Sequence, residues 1–429
     1  MAEQLGITAG NPAPAPTIGP VLPGERIEVI DILRGWAIFG ILLVNISHDV
    51  GWDYLFAKQW QGTADRIAWT LVDIFGSGKF YTLFTFLFGL GFALQMGRAE
   101  SRGAHFFPVY RRRLFVLYLI ALVHTLIWWG DVLHIYAVIG FLLLLFRTRS
   151  PRTIVAAAFV CLLVPLVYRG VVDGNRTRRL ADPQTALEAT REAGQRKAKW
   201  RGWEDQDLRV HSRGSFREIV IERAQQFTRW HTRPELYVWW LGGMFPFLLL
   251  GLYAGRRGIF QDLRAHLPFI RKVMWWGLGL GIVCAPAAHV LSEYLPNPVW
   301  PYVTRRAEAI LWIIGAPALC FFYASSIVLL AQKEEWKRRL APLATVGRLA
   351  LSNYLLQSLV QVLIFNSYGL GLYGKVGPLG GVALTFLIFP VQVLLSIWWI
   401  RRFRFGPAEW FWRTLTYGKL QPMRLAAKA

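Results

Sequence analysis

The chain has 429 residues, of which 54% are hydrophobic, 15% aromatic and only 17% charged. A soluble domain averages about 25% charged residues, and apolar runs near the roughly 20 residues that cross a bilayer recur along nearly the whole length, so composition excludes a soluble class and predicts an all-α, polytopic helical membrane protein. The formal net charge of +22 gathers at span ends, where the positive-inside rule and anionic lipids place Lys and Arg, rather than on a soluble face, which excludes a nucleic-acid partner.

Residues 1–26 lack the basic and apolar regions of a signal peptide, and their Pro, Ala and Gly content predicts a disordered cytoplasmic lead. Residues 27–400 read as one membrane domain with ten spans, at 32–48, 79–97, 113–130, 132–147, 153–170, 236–255, 273–292, 309–331, 343–366 and 379–400, followed by an interfacial tail at 401–429. Loops 97–113, 147–152, 256–272 and 332–348 carry 18 Lys and Arg, against five in the alternate short loops 49–70, 293–306 and 367–378. Both termini are therefore expected in the cytoplasm.

The first span opens with Asp31 and Arg34 and closes with Asn45 and His48. Polar groups are expensive in hydrocarbon and tend to mark function. Residues 50–78 are mixed, with IAWTLVDIF suited to the outer interface, and Lys79 opens the second span. The third and fourth spans form a sharp hairpin, VHTLIWWGDVLHIYAVIG, which brings Asp131 and His134 to one tip with His124 about six residues before it. A His beside an Asp can be held in one tautomer and act as a general base. Each of these groups also has a structural use. His124 could bond a neighbouring carbonyl, Asp131 could cap a helix, His48 and His134 could sit at the interface, and Lys79 could snorkel to headgroups or bind an anion. The three histidines and Asp131 match no metal-ligand spacing, so no metal is expected. Cys161, Cys284 and Cys320 lie in apolar runs and read as small hydrophobes.

Residues 171–233 break the tight pattern. They are polar, predicted extracytoplasmic, and helical in QTALEATREAGQRKAKW and SFREIVIERAQQFTRW, where charges recur at three and four. This insertion suits a lid or a variable loop. The ninth span begins GRLALSNYLLQS, placing Arg348 at its mouth and Asn353, Tyr354, Gln357 and Ser358 toward a bundle interior, where such groups can also tie helices together. With Asp31, Arg34, Arg111 to Arg113 and Arg413, Arg348 makes a basic cytoplasmic end fit for phosphates or lipid headgroups. In the tail, Glu409 and Arg413 stand at i,i+4, the spacing of a helical ion pair. No Walker A motif, GxSxG elbow or HExxH helix is present.

IDILRGWAIFGILLVNI, GKFYTLFTFLFGLGFAL, RRRLFVLYLIALVHTLIWWGDVLHIYAVIG, GRLALSNYLLQSL and FGPAEWFWRTLTYG, in that order, resemble the YeiB-like family of bacterial inner-membrane proteins. The resemblance covers nearly the whole chain and implies a multi-pass protein of the bacterial cytoplasmic membrane. The D-x-x-R-G opening, the Asn near the span's outer end and GRLALSNYLLQS are more distantly similar to heparan-α-glucosaminide N-acetyltransferase and its relatives, transmembrane acyltransferases that take an acyl group from cytosolic acyl-CoA to an acceptor on the far side. That resemblance implies acyl-CoA, most simply acetyl-CoA, as co-substrate. It puts Arg34 near the donor path, along with Asp31, Arg348 and Asn353, and Asn45 near the transferring acyl group. His48 stands closer to the Asn than the animal enzyme's catalytic His does, whereas His124 and Asp131 belong to the YeiB-like motif. They are the expected base and its orienting acid.

The leading expectation is therefore acyl transfer to an extracytoplasmic hydroxyl or amine, a glycan or small molecule, with Lys79, His48 and His134 on the acceptor side. The rival classes are a proton-coupled carrier, which intramembrane His and Asp would suit, and a non-catalytic lipid-binding protein. Membrane lipids are partners in every case, and association into a homo-oligomer stays open.

Overall fold

A computed structural model describes residues 26–49, 59–60, 62–295 and 301–425, without the side chains of 48, 49, 301 and 302. The lead, His48's side chain and much of the first loop lie outside the described residues. Every regular element described is helical. The helices are α1 (Glu28–Asp49), α2 (Thr63–Phe75), α3 (Lys79–Ser101), α4 (Phe106–Ile127), α5 (Leu133–Leu143, with a 3-10 turn to Phe146) and α6 (Pro151–Ala181). Then come α7 (Pro183–Arg213), α8 (Phe216–His231), α9 (Pro234–Trp239), a π-helical turn (Trp240–Met244) and α10 (Phe245–Arg256). The chain ends with α11 (Leu263–Glu293), α12 (Pro301–Leu330), α13 (Glu334–Arg348), α14 (Ala350–Phe365), α15 (Pro378–Ile400) and α16 (Pro407–Tyr417).

All ten predicted spans fall on helices, but not all on helices able to cross alone. Among the described residues seven are long and apolar enough to span a membrane, or eight when the bent pair α13–α14 counts as one. The other two segments are α4, which carries Arg111 to Arg113 near its start, and α5, whose main helix has only 11 residues. The segment 343–366 is not one straight span, since α13 and α14 meet at 78°. The fifth predicted span continues as helix into the insertion. α6 runs unbroken for 31 residues to Ala181, past the point where the polarity of the sequence rises. Local caps set the ends of the insertion's helices. Ser150 caps α6 ahead of Pro151, Asp182 caps α7 ahead of Pro183, and Ser215 with Glu218 forms a capping box on α8.

Apolar surface alone does not drive helices together in lipid, so small residues and polar ties matter most. α1 is central, packing on α3, α12, α13, α14 and α15. Gly347 lets α13 meet α1, since a Cβ there would fall 1.8 Å from the Asp31 carbonyl oxygen. At Gly89, where α3 crosses α10, a Cβ would fall 2.0 Å from the Leu248 carbonyl oxygen. A buried amide network then links α1, α13, α14 and α15. Gln357 Nε2 donates to the Ile38 carbonyl at 3.2 Å and to Gln392 Oε1 at 2.8 Å, and Asn353 Nδ2 donates to the Val346 carbonyl at 3.1 Å and to Ser396 Oγ at 3.0 Å.

Candidate active site

The α4–α5 hairpin tip holds three of the residues singled out in the sequence. Asp131 is buried between two imidazoles. Its Oδ1 lies 2.7 Å from His124 Nδ1, and its Oδ2 lies 2.9 Å from His134 Nδ1 and accepts from the His134 backbone amide at 3.0 Å. A carboxylate is acceptor-only, so each Nδ1 is assigned the proton. That leaves each Nε2 as a lone pair, and both Nε2 atoms are buried without a hydrogen-bond partner among the described residues. An imidazole fixed in this tautomer keeps an acceptor lone pair on its second ring nitrogen. Asp131 also does what a capping Asp does, accepting from the His134 amide in the first turn of α5.

The two imidazoles face different neighbours. His124 packs on Tyr354 of α14, with centroids 5.3 Å apart, and on Trp128 at 6.1 Å. The Tyr354 hydroxyl accepts from the Val132 amide at 3.3 Å, tying α14 to the hairpin. His134 lies under the insertion and the π turn. Phe227 and His231 of α8 stand 5.4 and 5.2 Å from its ring, and Trp240 stands at 5.8 Å. Burial lowers the pKa of His231, which favours the neutral ring beside His134.

At the opposite, arginine-rich end of the bundle lies a cavity of about 690 Å³. Eight arginines line it (Arg26, Arg34, Arg98, Arg102, Arg113, Arg256, Arg348 and Arg413) against two carboxylates, Asp31 and Glu100. Arg34 is held at 2.8 Å by Asp31 one turn before it. Arg413 is buried, and burial together with the charge of Arg113 pulls its pKa down to about 10. Glu409 does not make the expected i,i+4 pair with Arg413. Its carboxylate turns to the start of α14, accepting from the Leu351 amide at 2.7 Å, the Ser352 amide at 3.1 Å and the Ser352 hydroxyl. Exposed amides and the dipole at a helix N-terminus favour that placement.

A narrower slot of about 160 Å³ continues from this cavity. Arg34, Gly91, Gln95, Arg113 and Arg348 line both spaces. The slot then runs between Phe84, Phe88, Phe92 and Leu117 and ends against Val132, Tyr136 and Tyr354. Tyr354 therefore touches the slot on one side and His124 on the other.

The remaining expected residues go elsewhere. Asn45 is half-buried on the last turns of α1 and lines neither space. Lys79 is buried, but its Nζ donates to the Asp73 carbonyl at 3.0 Å, while the Asp73 carboxylate accepts from His289 Nδ1 at 2.7 Å. Lys79 thus belongs to an α2–α3–α11 cluster apart from the hairpin. Asn353, expected near the donor, spends its amide on the interhelical network because it points at α15 rather than at the slot. Asp31, Arg34 and Arg348 all line the arginine-rich cavity. His231 was not foreseen, because the fold alone brings α8 over α5. Arg413 is expected in the phosphate-fit basic end and Tyr354 in the bundle interior, but the packing of Tyr354 on His124 is not legible in the sequence.

Comparison with known proteins fits this division of the chain. Residues 26–181, which contain Asp31, Arg34 and the hairpin, match the family described as heparan-alpha-glucosaminide N-acetyltransferase, catalytic. Residues 254–419 match a family described as a protein of unknown function, DUF418. The uncharacterized protein YxaH of Bacillus subtilis (strain 168) is 35% identical over 432 aligned residues, covering 96% of this chain and 99% of YxaH. The uncharacterized protein YeiB of Escherichia coli (strain K12) is 29% identical, covering 91% of this chain and 96% of YeiB. No solved structure gives a significant match. With that coverage end to end, the chain belongs to the DUF418, or YeiB-like, family of multi-pass membrane proteins.

Proposed function

We propose that this protein is a membrane-embedded acyltransferase of the bacterial cytoplasmic membrane, which takes an acyl group, most simply acetyl, from cytosolic acyl-CoA to a hydroxyl or amine acceptor at the hairpin end. The observation that carries the reading is the graded path through the bundle. An eight-arginine chamber narrows into an apolar slot that stops one tyrosine ring short of a paired imidazole. Acyl-CoA has that order of parts, with phosphates at one end, a long thin arm, and a thioester at the tip. Arginine forks suit the phosphates. The slot is too narrow for a folded solute but suits an extended arm. The likeness of residues 26–181 to an N-acetyltransferase catalytic region supports the same reaction class.

In this mechanism His124 Nε2 removes the proton from the acceptor as its oxygen or nitrogen attacks the thioester carbonyl carbon. Asp131 holds the resulting imidazolium through Nδ1. The tetrahedral intermediate collapses with loss of the C–S bond, and the proton on His124 passes to the departing thiolate. Tyr354 keeps the acyl end aligned with the imidazole and excludes water. His134, held by the same carboxylate, keeps Asp131 ionised and oriented. Asn45, on the last turns of α1, is the proposed donor to the oxyanion, with the acyl end lying toward α1.

A second reading has one observation of its own. A buried carboxylate bridging two imidazoles is also the composition of a proton relay, as a coupled carrier would use. One experiment separates the two. Purified protein in nanodiscs is mixed with radiolabelled acetyl-CoA, and proteoliposomes are tested for flux under a pH gradient. Saturable acetyl-CoA binding that CoA competes away, with label passing to an acceptor in membrane extract, supports the transferase. Flux without any CoA binding would overturn it.

A further inference from the structure

A second cavity, of about 420 Å³, lies between α6, the α9–π segment and α12, and the proposed acyl-transfer path does not use it. Its floor is apolar, with Leu162, Phe247, Ile313 and Pro317. Its mouth is ionic. Arg169 Nη1 stands 3.8 Å from Glu308 Oε2, and the Tyr168 hydroxyl donates to Glu235 Oε1 at 3.1 Å. The Arg169–Glu308 separation exceeds hydrogen-bond reach, and the Arg169 side chain is 53% exposed, so this guanidinium can turn its donors to a bound phosphate. From mouth to floor, along α6 from Arg169 back to Leu162 and along α12 from Glu308 to Pro317, the cavity descends about 10–14 Å at the helical rise.

Its surroundings place it in the outer shell of the bundle. Phe159, Leu163 and Val167 on the neighbouring face of α6 are exposed, as a lipid-facing surface is. The inner wall is the π turn, an irregularity often found at functional sites. Gly242 in that turn is set against Pro165, and a Cβ there would fall 2.3 Å from the proline ring, so α6 closes on the turn without filling the space beside it.

We infer that this cavity is a binding site for a zwitterionic phospholipid with a primary-amine headgroup, of the ethanolamine type. The phosphate lies on Arg169, the ammonium between Glu235 and Glu308, and the start of an acyl chain on the Leu162–Phe247–Pro317 floor. The lining itself holds one cation and two carboxylates, with Arg305 acting on Glu308 and Arg233 on Glu235 from outside it, and so complements a headgroup with one phosphate and one ammonium. An anionic glycerol headgroup would bring a phosphate and no cation to a mouth with two carboxylates, and a choline headgroup has no N–H to give them. The inference does not depend on the acyl-transfer reading.

The test uses the full chain in phosphatidylcholine vesicles doped with a trace of phosphatidylethanolamine that carries a diazirine on its acyl chain, and cross-links are mapped by peptide mass spectrometry. Labelling is expected to concentrate on 162–169 and 308–317, about tenfold above the same diazirine on phosphatidylglycerol. Glu308→Lys, at a partly exposed rim position, should erase that preference with the thermal midpoint unchanged, and Ile313→Trp should block the floor and remove the cross-links. Labelling spread evenly over lipid-facing helices, equal labelling by the two lipids, or labelling that survives both substitutions overturns the proposal.

Discussion

At the residue scale the proposed chemistry rests on Asp131, because one carboxylate contacts both imidazoles through Nδ1. Asp131→Asn keeps the shape but can present its amide N–H to an Nδ1, which moves that ring's proton to Nε2 and removes the base. The expected outcome is a fall of roughly 10³-fold in acetyl transfer, within the range for loss of a positioned general base, with acetyl-CoA affinity within about twofold of the parent. His124→Ala should match it and His134→Ala should cost less, since His134 faces the insertion rather than Tyr354. A single-turnover assay with labelled acetyl-CoA measures all three, and equal losses in His124→Ala and in a distant surface variant would remove the base from His124. The hairpin pairing was legible in the sequence because His124, Asp131 and His134 sit close along the chain, where a tight turn brings them together. The role given to Lys79 rests on depth in the membrane, and that given to Asn45 on depth and on the resemblance of the first span to the acetyltransferase opening. Depth does not fix which way a helical side chain faces, and Lys79 in fact faces Asp73.

At the element scale the insertion is anchored by Asp207 on α7. It lies 3.0 Å from His211 Nδ1 and accepts from the Tyr373 hydroxyl at 2.5 Å and from the Gln226 amide, joining α7, α8 and the α14–α15 connection. Burial pushes the pKa of Asp207 up, but the charge of His211 and the hydrogen bonds from His211, Tyr373 and Gln226 outweigh it and hold the carboxyl below its ordinary value. The sign follows. A carboxyl lowered in the fold contributes stability above its unfolded pKa of about 4. That contribution is lost as pH falls below this value through the lower folded one. The insertion should therefore keep its protection from pH 8 to about 5 and loosen below about pH 4, and Asp207→Asn should flatten this dependence. Proteolysis of 183–231 by an acid-active protease, followed across pH, reads it, and an unchanged acid profile in Asp207→Asn would exclude Asp207 as the anchor. The sequence showed α7 and α8 as helices through their charge spacing. It could not show that α8 covers His134, because that contact joins residues almost a hundred positions apart. For the same reason the 78° bend between α13 and α14 was read as one span, since its stabilising cap, Glu409, comes from the tail.

At the scale of the whole molecule the path is polar at one end only, and this asymmetry makes a directional claim. Eight arginines around one cavity repel each other, and the charge of Arg113 adds to burial, the larger cause, in lowering the pKa of Arg413, so a polyanion bound there relieves like-charge repulsion while gaining charge-assisted hydrogen bonds. CoA at about a hundred times its Kd should raise stability by roughly 2.7 kcal/mol, seen as a higher thermal midpoint that dephospho-CoA reproduces only in part. Arg413→Ala should weaken CoA binding about tenfold and blunt that rise, and high salt should do the same to the parent. Among the described residues the hairpin end shows no such arginine-lined chamber. In vesicles of mixed orientation, an external photoreactive CoA analogue should therefore cross-link only to molecules whose arginine-rich end faces outward. The two populations are told apart by external protease, which cuts the exposed helices 183–231 only in molecules facing the other way. Label recovered in protein that the protease has cut would mean that the donor enters from the hairpin side, and the path from arginine chamber to imidazole would then run opposite to the chemistry.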